Sequence, residues 1–141
     1  MWNPKRFRPL GKGRMKLYKE ILMDHFQNPR NKGKLENPDF STSQYNPSCG
    51  DSISFDGIIV NGIVDQLKFD GKGCVVSQAV ASMLTEYCIG KQIDEILSVD
   101  KDTLLGIIGM EIGPTRMKCA FLSLVAMKEG LEEYKKKQES E

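Results

Sequence analysis

Several functional classes are excluded by what this chain lacks. It has a single histidine, His25, on the apolar stripe of a predicted helix, where a packed, hydrogen-bonded role fits better than ligation, so no Ser–His–Asp hydrolase set can be assembled. No apolar run approaches ~18 residues, and the basic N-terminus is followed by no apolar core of a secretory signal, so neither a membrane span nor a signal peptide is expected. Cys-x-x-Cys pairs are absent, which removes finger-type zinc sites. Gly71-Lys72-Gly73 lies between a predicted strand and helix, yet it matches neither the G-x-G-x-x-G nor the Walker pattern, so nucleotide binding is not expected. Internal repeats and low-complexity blocks are also missing.

What is present describes one soluble domain. The 141 residues, 40% hydrophobic and 28% charged, suffice to bury a core without disulfides. The +1 net charge is uneven: Lys5, Arg6, Arg8, Lys12 and Arg14 stand in the first fourteen residues with no acidic partner. Residues 1–14 therefore read as a basic flexible extension, or as a start placed ahead of Met15, with 15–135 as the domain and 136–141 as a charged tail. No nucleic acid is expected as a partner, because the body is mildly acidic. Four cysteines without a secretory signal point to a reducing, cytoplasmic setting, where thiols bind metal or react.

Periodicity places the elements. Leu17/Tyr18, Ile21/Leu22 and His25/Phe26 predict an amphipathic helix from Lys16 to Gln27, ended by Asn28-Pro29. Arg30 to Tyr45 reads as loop. Ile53, Phe55, Ile58 and Val60 then form a strand, with a bulge at Asp56-Gly57, and Asn61-Gly62 turns it into a partner over Ile63 to Phe69. A helix follows from Val75 to Gly90, its stripe running through Val80, Leu84 and Cys88, so Cys88 belongs to the core. Short helices are predicted at Ile93–Leu97 and Thr103–Ile108. A long one follows Gly113-Pro114, with Thr115 as its cap and Met117, Ala120, Phe121, Leu124 and Leu131 inward.

Three cysteines remain. Cys49 sits in the turn Asn46-Pro47-Ser48-Cys49-Gly50-Asp51, two residues from a carboxylate. Cys74 opens a helix, where exposed amides and the helix dipole favour a thiolate. Cys119 lies near the start of the last helix, one position off its apolar stripe. With Asp51 they make four potential anionic ligands, suited to zinc or to an iron-sulfur cluster in which Asp replaces a fourth Cys. A carboxylate oxygen is a harder ligand than thiolate and holds these metals less tenaciously, which suits cargo that must leave.

Leu17-Tyr18, Met23-Asp24-His25, Asn28-Pro29-Arg30-Asn31-Lys32-Gly33, Asn46 to Asp51, Gly71-Lys72-Gly73-Cys74 and Arg116-Met117-Lys118-Cys119-Ala120 together resemble the U-type iron-sulfur assembly proteins, the family of IscU, SufU and the N-terminal domain of NifU. The resemblance spans about Met15 to Tyr134. It implies an α+β fold, a compact sandwich of a three-stranded antiparallel sheet with helices packed on it and a site at one end. A third strand would then lie between Asp39 and Pro47. It further implies that Cys49, Asp51, Cys74 and Cys119 hold the cluster or metal, with Cys119 or Cys74 accepting sulfur.

Two departures mark the chain as a hybrid. Gly113-Pro114-Thr115-Arg116-Met117-Lys118 replaces the IscU segment Leu-Pro-Pro-Val-Lys and the His that follows it. A dedicated Hsp70 chaperone is therefore not expected, and a protonated Lys118 cannot replace the His as a ligand. Arg116 and Lys118 resemble SufU, whereas the insertion that SufU proteins carry between the second and third cysteines has no room here. The resemblance thus implies a scaffold or carrier that takes sulfur from a cysteine desulfurase, builds a labile [2Fe-2S] cluster and passes it to apo iron-sulfur proteins. The alternative is a zinc-dependent sulfurtransferase fed by the same donor. Monomer and homo-oligomer are both compatible with the sequence.

Overall fold

The computed structural model describes residues 12–47, 50–109 and 112–139. Its elements run α1 (Lys12–Gln27), β1 (Phe40–Asn46), β2 (Asp51–Val60), β3 (Ile63–Lys72), α2 (Val75–Cys88), α3 (Ile93–Leu97), α4 (Lys101–Ile108) and α5 (Pro114–Glu139). The strands form one antiparallel sheet in the order β1-β2-β3. This is the α+β arrangement expected, including the third strand that propensity alone does not place. Its sequence, FSTSQYN, is unremarkable for a strand; pairing from Phe40↔Gly57 to Asn46↔Asp51 makes it one.

Phe40 shows how the sheet is tied to its helices. Its buried ring occupies a slot floored by two glycines, one on β2 and one on α5. A Cβ on Gly57 would come within 2.2 Å of the ring, and one on Gly130 within 2.7 Å. This corrects the reading of Asp56-Gly57 as a bulge. Register is regular through Asp56↔Lys68 and Gly57↔Leu67, and the irregularity falls between Ile58 and Ile59. Strict alternation therefore carries Gly57 and Ile59 inward and leaves Val60 48% exposed, opposite to the expected face. The glycine is there to admit an aromatic ring.

α2 is the central helix, buried along most of its length. One apolar cluster joins its Ala81 and Cys88 to the sheet, α3 and the later turns of α5; a second joins its Val76, Val80 and Leu84 to α1, α4 and the first turns of α5. Cys88 is fully buried, as its stripe position predicts, and desolvation pushes its thiol up to about 12. On α1, Leu22 and His25 face α2. His25 Nδ1 lies 2.8 Å from Ser82 Oγ and Nε2 3.4 Å from the Glu86 carboxylate, the packed, hydrogen-bonded role expected of it.

The helix starts differ from expectation for local reasons. α4 begins two residues early because the Asp100 carboxylate accepts the Thr103 N–H at 2.8 Å and caps it. α5 begins at Pro114, whose missing N–H costs nothing at a first helical position, and Met117 N donates to Gly113 O at 2.9 Å. Gly113 thus takes the cap position assigned to Thr115. Phe121, expected inside, is only half-buried, and the charged end from Lys135 is helical as far as Glu139. No described helix is long and apolar enough to cross a membrane.

Candidate metal and sulfur site

Three chain segments converge at one end of the sheet. Asp51 is the first residue of β2, Cys74 caps α2 immediately after β3, and Cys119 lies in the second turn of α5. Their ligand atoms all fall within 4.8 Å of one another. Donor atoms of a tetrahedral zinc site, about 2.3 Å from the metal, stand roughly 3.7 Å apart, so a small closure fits the trio around one ion. Cys49 lies outside the described residues, two positions before Asp51.

Asp51 is held by backbone as well as by side chains. It is fully buried, its Oδ1 accepts the Cys74 N–H at 2.9 Å, and Cys74 Sγ donates to Oδ2 at 3.4 Å. Room for this carboxylate exists because position 73 is glycine. A Cβ there would meet Oδ1 at 2.1 Å, and the backbone has φ +142°, where side chains are rarely found. Position 73 thus sets the carboxylate beneath the second cysteine. From the sequence only the flexibility of Gly71-Lys72-Gly73 was legible; contact with a residue 22 positions earlier was not.

Cys74 is exposed, whereas Cys119 is buried at 6% exposure. The Cys74 side chain accepts the Ser77 N–H at 3.5 Å, and Ser77 Oγ donates back to Cys74 O at 3.1 Å. Ser123 of α5, fully buried, donates to Ser77 O at 3.4 Å. Ser77 and Ser123 therefore fix the start of α2 against α5, and with it the spacing of the two thiols. Sequence reading missed both, since a lone Ser on a buried helix face carries no distinguishing pattern. Cys119 goes deeper than the core edge expected of it, because α2 and α5 pack closely through small residues, Ala79 and Ala120 among them.

Arg116 and Lys118 do not join the donor group. Arg116 lines an apolar cleft of about 340 Å³ with Lys19, Leu22, Met23, Val75 and Val76, and Lys118 lines another of about 600 Å³ with Lys101, Leu105, Met117 and Phe121. Every charged residue lining the two clefts is a cation, so the rim beside an anionic thiolate and carboxylate set is positive.

Residues 17–141 match the family described as the NifU-like N terminal domain. Among curated proteins the chain is 38% identical over 132 residues to the zinc-dependent sulfurtransferase SufU of Bacillus subtilis, covering 82% of this chain and 89% of that one. It is 33% identical over 121 residues to the iron-sulfur cluster assembly scaffold protein IscU 1 of Archaeoglobus fulgidus, covering 86% and 78%. A crystal structure of a candidate iron-sulfur cluster assembly scaffold protein for the SUF system, from Fervidobacterium islandicum, superposes with a TM-score of 0.70 at 25% identity, covering 86% of this chain and 99% of that one.

Proposed function

The chain belongs to the NifU-like N-terminal domain family, and on that premise we propose that it is a sulfur-accepting scaffold that assembles a labile [2Fe-2S] cluster and hands it on. The observation that carries this reading is the graded burial of the donor set: Cys74 exposed, with Cys119 and Asp51 buried beneath it and within 4.8 Å. A permanent structural site is closed on all sides, whereas a site with one ligand at the surface lets cargo enter and leave.

Sulfur arrives as the persulfide of a cysteine desulfurase. The Cys74 thiolate attacks the outer sulfur, the S–S bond breaks, and the donor's thiolate leaves, so the persulfide is carried to this chain. Cys119, buried, is the second acceptor. Each transferred sulfur reaches sulfide by gaining two electrons from an external reductant. Iron then completes the cargo on Cys49, Asp51, Cys74 and Cys119, with Asp51 as the hard, exchangeable ligand. Cationic Lys19, Lys101, Arg116 and Lys118 stabilise the anionic set from the rim without ligating it.

A second reading has its own support. The compact spacing of the three donor atoms suits a single zinc ion, and one similar protein is a zinc-dependent sulfurtransferase. There the same residues would hold zinc, which lowers thiol proton affinity, and the displaced Cys74 thiolate would perform the same attack. Metal and sulfide analysis of protein purified without oxygen separates the two. Iron and acid-labile sulfide in equal amounts are expected; stoichiometric zinc without sulfide contradicts the scaffold reading. Asp51→Ala is expected to slow release of bound cargo to an acceptor about tenfold, read as the transfer half-time, and an unchanged half-time contradicts the exchangeable-ligand role.

A further inference from the structure

The sheet protects one of its edges and leaves the other open. Along β3, the outer backbone is capped at both ends: Phe69 N donates to Asn31 O and Gly33 N to Phe69 O, while Val64 N donates to Lys91 O and Gly90 N to Val64 O. Along β1, among the described residues, the only backbone bond outside the pairing with β2 is the turn bond from Gly50 N to Asn46 O. Nor does β1 carry the usual defences of an open edge. Phe40–Asn46 contains no Lys, Arg, Asp, Glu or Pro, and its seven pairs with β2 show no register shift. Ser41, Ser43 and Tyr45 are exposed, Tyr45 at 63%. This edge ends three residues before Cys49 and five before Asp51.

We propose that the open edge of β1 is where an extended, cysteine-bearing segment of a recipient apo-protein adds as a fourth strand, delivering its thiols to the cargo. The proposal rests on the carrier reading above. A metal-binding segment is commonly unfolded until its metal arrives, so an apo recipient presents extended backbone with unpaired N–H and C=O groups. An open edge is the complementary surface, because main-chain bonds give affinity without requiring one sequence, as delivery to different recipients demands. A second copy of this chain is a poor occupant. A two-fold axis through Ser43 would pass beside Gln44 and the exposed Glu129 hydrogen-bonded to it, bringing the two Glu129 carboxylates together.

Hydrogen exchange of the β1 amides, with and without apo-ferredoxin as the recipient, tests this. Exchange within Ser41–Tyr45 is expected to slow at least tenfold on addition of apo-ferredoxin, with β3 unchanged. No slowing under conditions where transfer proceeds overturns the proposal. So does protection already present without recipient in a species of doubled mass, which assigns the edge to self-pairing. As a second arm, Thr42→Pro and Ser43→Pro each remove one N–H, and the variant whose N–H points away from β2 keeps the fold. That variant is expected to load cargo normally and transfer it at least tenfold more slowly; normal transfer overturns the proposal. Failure of the unaltered protein to load any cluster contradicts the carrier reading instead, and exchange then judges the edge alone.

Discussion

Gly73 shows how much of the site depends on an atom that is not there. Its missing Cβ is the space that the Asp51 carboxylate fills, so Gly73→Ala forces that carboxylate away from the Cys74 amide while also straining a backbone at φ +142°. Affinity for zinc or iron is expected to fall about 10- to 100-fold, as for loss of an outer-shell partner, with metal titration as the readout. Cys88 is the contrasting residue. Buried among apolar side chains with its thiol at about 12, it has neither the access nor the thiolate character for sulfur chemistry. Cys88→Ser is expected to leave metal binding unchanged and to lower unfolding stability by ~1–3 kcal/mol through a hydroxyl left without a partner, measured by urea denaturation. A loss of metal binding in that variant would contradict its place in the core. Alkylation at neutral pH is expected to modify Cys74 well before Cys119, and Cys88 last.

At the scale of elements, α1 is held to α2 by a polar contact within an otherwise apolar seam. Burial depresses the affinity of His25 for protons, with the Arg30 guanidinium adding to the effect and Glu86 and Asp24 opposing it. A histidine whose folded pKa lies below its unfolded value costs nothing while both states are neutral. Below about 6.5, the unfolded chain takes up the proton first and stability falls until the folded state also titrates. The melting temperature is therefore expected to drop on acidification from pH 7 to pH 5, and His25→Gln is expected to flatten that slope; an equal slope in the variant would remove His25 from the account. The same scale explains what the sequence did and did not disclose. α1, α2 and the β2–β3 hairpin announce themselves because their apolar spacing matches the period of the element they form. β1 does not, since FSTSQYN becomes a strand through pairing with β2 and through Phe40 entering a slot between Gly57 and Gly130. For the same reason Gly57 reads as a bulge when its requirement is set by a residue 17 positions earlier.

For the whole molecule, the fold is a device that brings three distant segments to one end. The β1–β2 turn, the start of α2 and the start of α5 each have their own local reason to exist, and only their convergence makes a donor set. The cysteines and Asp51 were legible as candidates by residue type and by resemblance. Their unequal burial was not, because it depends on how closely α2 and α5 approach through Ser77, Ala79, Ala120 and Ser123. That inequality, an exposed Cys74 over a buried Cys119 and Asp51, is what favours transient cargo over a permanent metal. The most direct test is anaerobic reconstitution with iron, cysteine and a cysteine desulfurase, followed by addition of apo-ferredoxin. The account predicts a [2Fe-2S] absorption spectrum on this protein that decays as holo-ferredoxin appears. Tightly held zinc, faster desulfurase turnover and no chromophore would contradict it.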